Sequence, residues 1–264
     1  MSRDLYACDA GDLATRSIES LAPDEDVGEA SEWLEKRGYD VAPVVENQSV
    51  LGYVVADSLP EDPPGDSIRT HTEPITIEEI ISSDASFEDI LSALYDAPFY
   101  FLGGRNQLTG ILTRADLNHS PARIHLFDRI TLLEERFRDL IRDVAPDWKE
   151  RVPINPEVVD SIEERHNQAR QSNIDLEEIH YAQFSTLATI VAEVDNCWKA
   201  CGFSRDHRAS SQLDDLTQLR NDVAHSNQIV QNTAGGLGQG RTIGTVEQTY
   251  STLVLCLNSL SEYA

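Results

Sequence analysis

Phe101-Leu102-Gly103-Gly104-Arg105-Asn106-Gln107-Leu108-Thr109-Gly110-Ile111-Leu112-Thr113-Arg114-Ala115-Asp116-Leu117 repeats the pattern of Pro43-Val44-Val45-Glu46-Asn47-Gln48-Ser49-Val50-Leu51-Gly52-Tyr53-Val54-Val55-Ala56-Asp57-Ser58-Leu59. Gly52 and Gly110 fall in register, 58 residues apart. Each copy reads as a short apolar strand, a polar turn, a second apolar strand opened by the glycine, and a helix start. Upstream, Val27, Ala30, Trp33 and Leu34 in one copy, and Phe87, Ile90, Leu91 and Leu94 in the other, have the 3-and-4 spacing of an amphipathic helix. Such a unit cannot bury its own sheet, so the two copies are expected to pack face to face. The proline-rich stretch Leu59-Pro60-Glu61-Asp62-Pro63-Pro64-Gly65 reads as the loop between them.

Over residues 12–125 this pattern resembles a pair of cystathionine-beta-synthase (CBS) repeats. The resemblance implies an α+β regulatory module with an adenine nucleotide as its ligand. Its most specific part is Gly110-Ile111-Leu112-Thr113-Arg114-Ala115-Asp116, where it implies that Thr113 and Asp116 hold a ribose. A hydroxyl and a carboxylate at a strand-to-helix turn can both bond ribose hydroxyls, while the helix N-terminus faces phosphate. The first copy has Val55 and Ser58 in those places, so one nucleotide site is expected rather than two. The competing reading makes Asp116 a cap for the helix that follows it.

From residue 120 onward the pattern is helical throughout. Ile124, Phe127, Ile130, Leu133, Phe137, Leu140 and Ile141 form the apolar stripe of a long helix that Pro146 ends. Further helices are expected over 156–172, 177–201, 208–228 and 244–262. The run Thr233-Ala234-Gly235-Gly236-Leu237-Gly238-Gln239-Gly240-Arg241 joins two helices rather than a strand and a helix, and so reads as a flexible loop.

The chemistry of this half concentrates in Arg220-Asn221-Asp222-Val223-Ala224-His225. Spacing alone does not define a site, because Arg114 and His119 show the same separation. Helical geometry adds the discriminating fact: Leu213, Leu216, Leu219 and Val223 share one face, while Asn221 and His225 lie together on the other. Arg220 sits at the border, with a stem long enough to bring its head round. Arg220-Asn221 followed by His225, with Tyr181-Ala182-Gln183-Phe184 ahead of it, resembles the HEPN superfamily (higher eukaryotes and prokaryotes nucleotide-binding) over residues 125–264. That resemblance implies metal-independent RNA cleavage, with Arg220, Asn221 and His225 catalytic and two copies of the motif meeting across a homodimer. An asparagine–histidine pair that merely holds a helix end or a dimer seam is the alternative.

Composition narrows the setting. Aspartate and glutamate number 46 and the formal net charge is −25, while 18 arginines stand against three lysines. Such a surface suits a halophilic protein, since the Debye length falls to about 3 Å near 1 M salt. It also excludes broad nucleic-acid coating, which needs clustered cations. No basic-then-apolar leader or membrane-length run is visible, so a soluble cytoplasmic protein is expected. Cys8, Cys197, Cys201 and Cys256 lack zinc-site spacing and read as buried free thiols, with no metal or cofactor expected. The expectation is therefore an α+β CBS pair over 1–125 and an all-α helical bundle over 126–264. Its function reads as a nucleotide-regulated endoribonuclease in stress or defence, against a nonenzymatic regulatory protein whose tail dimerises or binds RNA or a protein.

Overall fold

Asn47 and Gln48 adopt positive φ, 50° and 68°, and close a tight turn that folds β1 (Val41–Glu46) onto β2 (Ser49–Val55) as an antiparallel hairpin. The second copy is opened by a short strand, β3 (Ile80–Ile81), parallel to β4 (Phe99–Gly104), which pairs antiparallel with β5 (Gln107–Thr113). The register shifts between Val44 and Val45 in one hairpin and between Leu102 and Gly103 in the other. These irregularities sit beside Gly52 and Gly110, so the 58-residue repeat extends to the backbone's departures from regularity.

This computed structural model describes residues 7–60, 65–104, 107–174, 176–231 and 241–261. Four residues of the proline-rich stretch, 61–64, and all but Arg241 of the glycine run lie outside the described residues. The chain divides into two compact units, Met1–Ala122 and Arg123–Ala264.

In the first unit the stretch ahead of each copy crosses to the other. The first stretch carries α1 (Ala10–Leu13); Asp9 pairs with Ser86 and Thr15 with Ile111, both in the second copy, before Leu21 returns to Val44. The second stretch does the converse: Ser67 pairs with Asp26 and Glu73 with Tyr53 before β3 joins its own hairpin. Thr15 and Ile111 exchange two backbone hydrogen bonds, as do Tyr53 and Glu73. The crossing strand runs over the glycine each time. A Cβ on Gly52 would lie 2.0 Å from the Glu73 carbonyl oxygen, whereas one on Gly110 would meet Ala14 Cβ at 3.2 Å and the Thr15 carbonyl oxygen at 3.3 Å.

Side chains follow the same plan. α2 (Val27–Arg37) and α3 (Phe87–Asp96) bury Val27, Ala30 and Leu34, and Phe87, Ile90, Leu91 and Leu94. The Asp26 carboxylate accepts the Gly28 and Glu29 N–H groups, and Ser86 and Asp89 cap each other reciprocally. Between the hairpins, Val41 and Tyr53 pack with Phe101 and Ile111 in one buried cluster. The Tyr53, Phe99 and Phe101 rings meet at 5.5–5.7 Å. The two copies thus face each other across an aromatic seam.

The second unit is helical. α4 (Ser120–Val144), α5 (Trp148–Arg151) and α6 (Pro156–Gln171) precede α7 (Phe184–Glu193), α8 (Asp195–Ala200), α9 (Asp206–Ala224) and α10 (Ile243–Ser261). α7 packs on α8 and α9, and α9 packs on α10. Two expectations need correction. The stretch 177–201 is a 3-10 turn at Glu178–Tyr181 followed by two helices, because Val194 is extended (φ −102°, ψ 113°) and starts α8 afresh. Ile124 and Phe127 are not in the core: they are 53% and 57% exposed, while Ala122, His125 and Leu126 take the buried side of α4. Among the described residues no helix is long and apolar enough to cross a membrane.

The repeat-related glycines give an asymmetric prediction. Gly52→Ala drives a side chain into backbone and should cost more than the usual ~1–3 kcal/mol of overpacking. Gly110→Ala meets only tight contacts and should cost about 1 kcal/mol. Chemical denaturation of the two variants checks the order; equal losses would refute the crossing geometry.

Candidate functional site

Leu213, Leu216, Leu219 and Val223 are all buried, and they anchor α9 by one face. This leaves Arg220 half-buried and Asn221 exposed at its last turn. His225, also exposed, closes the helix, its N–H donating to the Asn221 carbonyl at 2.9 Å. Arg220 Nη1 reaches Asn221 Oδ1 in a long contact of 3.4 Å. The three expected residues therefore share one accessible helix end. Among the described residues no hydrogen bond joins the His225 ring to either of the others.

A polar chain braces that end. Asp222 Oδ1 accepts Asn227 Nδ2 at 3.2 Å, and its Oδ2 accepts Arg241 Nε at 3.1 Å. The Asn227 carbonyl accepts Arg123 Nη2 at 2.6 Å. Residues from α4, α9, the following loop and the approach to α10 are thereby tied together. Ser226 takes positive φ, 58°, and lets the chain leave the helix sharply. Arg123 and Arg241 were not expected at the site from sequence, because they lie outside the motif and no periodicity marks them; Asp222 lies within the motif string, but its bracing role was not expected. Deeper in the unit, the buried His125 ring lies 2.9 Å from the Tyr250 hydroxyl, joining α4 to α10.

The nucleotide candidates lie in the first unit. Asp116 is 2% exposed, and its carboxylate is surrounded by the chain's own donors. Oδ2 accepts the Thr113 N–H at 2.7 Å and the Thr113 hydroxyl at 2.9 Å. Oδ1 accepts the Thr15 hydroxyl at 3.1 Å and lies 3.3 Å from His119 Nδ1. Thr113 and Asp116 are in direct contact, and Asp116 is the third residue of the turn that Thr113 caps. The same reciprocal cap occurs at Asp9/Asp12, Thr76/Glu79 and Ser86/Asp89. At the corresponding place in the first copy, Ser58 donates to the Val55 carbonyl instead. Capping hydrogen bonds hold Asp89 and Glu79 below the usual carboxylate range.

All four cysteines are free and buried. Burial pushes the Cys8 thiol up to about 12 and that of Cys197 to about 11. Cys201 is raised by its hydrogen bond to Cys256 and by burial. These thiols pack rather than react.

The first unit thus presents two facing hairpin-and-helix copies. Solved structures that resemble it are CBS-domain proteins, covering the N-terminal part of the chain, about 41%. The CBS-pair protein CBSX2 from Arabidopsis thaliana is 18% identical, covering 42% of this chain and 91% of its own, with a TM-score of 0.37. The CBS domains of a transcriptional regulator from Streptococcus pneumoniae are 16% identical, covering 41% and 95%, with a TM-score of 0.36. CBSX2 has also been solved in complex with AMP; that structure is 18% identical over 42% of this chain and 92% of its own, at a TM-score of 0.35. No family model matches the chain. No curated protein matches it either.

The crowding around Asp116 yields a prediction about stability without ligand. Asp116→Ala strands the Thr113 N–H and two hydroxyls, and should cost more than ~2 kcal/mol. A residue that serves ligand alone would change stability by less than ~0.5 kcal/mol. Thermal unfolding of the nucleotide-free protein distinguishes the two.

Proposed function

We propose that this protein is a nucleotide-regulated ribonuclease that cleaves RNA as a homodimer without a metal ion. The observation that carries the reading is the placing of Arg220, Asn221 and His225 at one accessible end of α9, while its leucine face is buried. In this reading the RNA 2′-hydroxyl attacks the adjacent phosphorus and the 5′-oxygen leaves. One group takes the hydroxyl proton and another supplies a proton to the leaving oxygen. Histidine fits either part near neutral pH. Arg220 offsets the charge that develops on the phosphorane, and Asn221 orients it. One motif supplies one histidine, so a second copy related by a two-fold axis supplies the other.

The first unit is the regulator in this proposal, with an adenine nucleotide at Thr113 and Asp116. A ribose hydroxyl at Asp116 would take the place of His119, whose side chain is 59% exposed and is the most readily displaced of the partners. The filled coordination of Asp116 favours a second, narrower reading in which this turn is a cap and no nucleotide binds.

Purified protein incubated with total RNA in high salt should yield products ending in a 2′,3′-cyclic phosphate, with undiminished activity in EDTA. His225→Ala should lower the rate by about 10²–10⁴-fold, and Asn221→Ala by less. Activity lost in EDTA, or retained by the His225→Ala protein, would leave a nonenzymatic regulatory protein. Calorimetry with AMP, ADP and ATP addresses the regulator: one site per chain is expected, and absence of heat with all three selects the cap.

A further inference from the structure

In a chain carrying 46 acidic residues, three arginines bond to the end of α9 and the loop after it: Arg241 to the Asp222 carboxylate, Arg220 to the Asn221 amide oxygen and Arg123 to the Asn227 carbonyl. Arg241 is the most constrained of them. Its side chain is 8% exposed, and Nε donates to Asp222. Nη1 and Nη2 are both buried and have no acceptor among the described residues. Guanidinium does not lose its proton inside a protein, so these donors cannot be relieved by neutralisation. Asp222 meets the guanidinium through Nε alone, and its other oxygen accepts Asn227 Nδ2.

We infer that Arg241, with Arg123 nearby, forms an anion site that takes one phosphodiester of an RNA strand beside Arg220, Asn221 and His225. The two terminal nitrogens form a planar fork that matches two phosphate oxygens. Asp222 lies between Arg220 and His225 in sequence, so the anion is held at the same end of α9 as the motif. α10 begins just after Arg241 and has no acidic residue in its first turn, so its N-terminal dipole adds to the attraction. A single local contact of this kind is also what an acidic protein in high salt can use. The inference rests on the ribonuclease reading for the identity of the strand, but binding and cleavage can be measured apart.

The experiment uses the full chain carrying His225→Ala, so that RNA is not consumed. Anisotropy of a labelled single-stranded RNA is followed across a potassium chloride series, with unfolding curves recorded for every variant. Arg241→Gln should weaken binding by about 10- to 100-fold and lower the salt slope by about one. Arg241→Lys keeps the charge and serves as the control if Arg241→Gln fails to fold. An ammonium cannot form the fork, so Arg241→Lys should show an intermediate loss. Wild-type affinity in a folded Arg241 variant, or no RNA binding at any salt concentration, would overturn the inference. Binding that depends on Arg241 in a protein that never cleaves RNA would keep this site and reject the ribonuclease.

Discussion

Two pairs of reciprocal backbone hydrogen bonds, Thr15 with Ile111 and Tyr53 with Glu73, hold the first unit together. Each joins the leading stretch of one copy to the hairpin of the other, across a glycine with little or no room for a side chain. Neither copy is therefore complete alone. The crossing brings the Thr15 hydroxyl to Asp116, 101 residues later in the chain. The candidate nucleotide site thus depends on a long-range strand exchange as much as on the Thr113–Asp116 turn.

In the second unit the corresponding constraint is α9, held by leucines on one side and by Asp222 on another. The apolar face fixes which way the helix lies, and the Asp222 bonds fix how its end is finished. Arg220, Asn221 and His225 can remain accessible because none of them is needed for the packing. The same division explains how a chain of net charge −25 can present a local cationic spot. Acidic residues spread over the surface repel one another weakly in concentrated salt, while a buried arginine fixed against one carboxylate, as Arg241 is against Asp222, retains its local field.

Much was legible in the sequence because it is encoded locally. The 58-residue repeat, its glycines, the helices at Val27–Arg37 and Phe87–Asp96, and the leucine face of α9 all follow from spacing between near neighbours. Local pattern failed where one spacing allowed two outcomes. Ile124 and Phe127 fit an apolar stripe, yet the helix turned His125 and Leu126 inward. The run 177–201 looked continuous because apolar spacing does not register the extended backbone at Val194.

The sequence by itself determined the periodic features: two copies of one unit, an amphipathic helical half, and a polar trio opposite a leucine face. These need only the fixed geometry of strand and helix. Tertiary structure alone decided which distant residues meet. It placed Thr15 against Asp116 and brought Arg123 and Arg241 to the end of α9. Such meetings depend on chain crossings and on burial of whole faces, which no window of neighbouring residues contains.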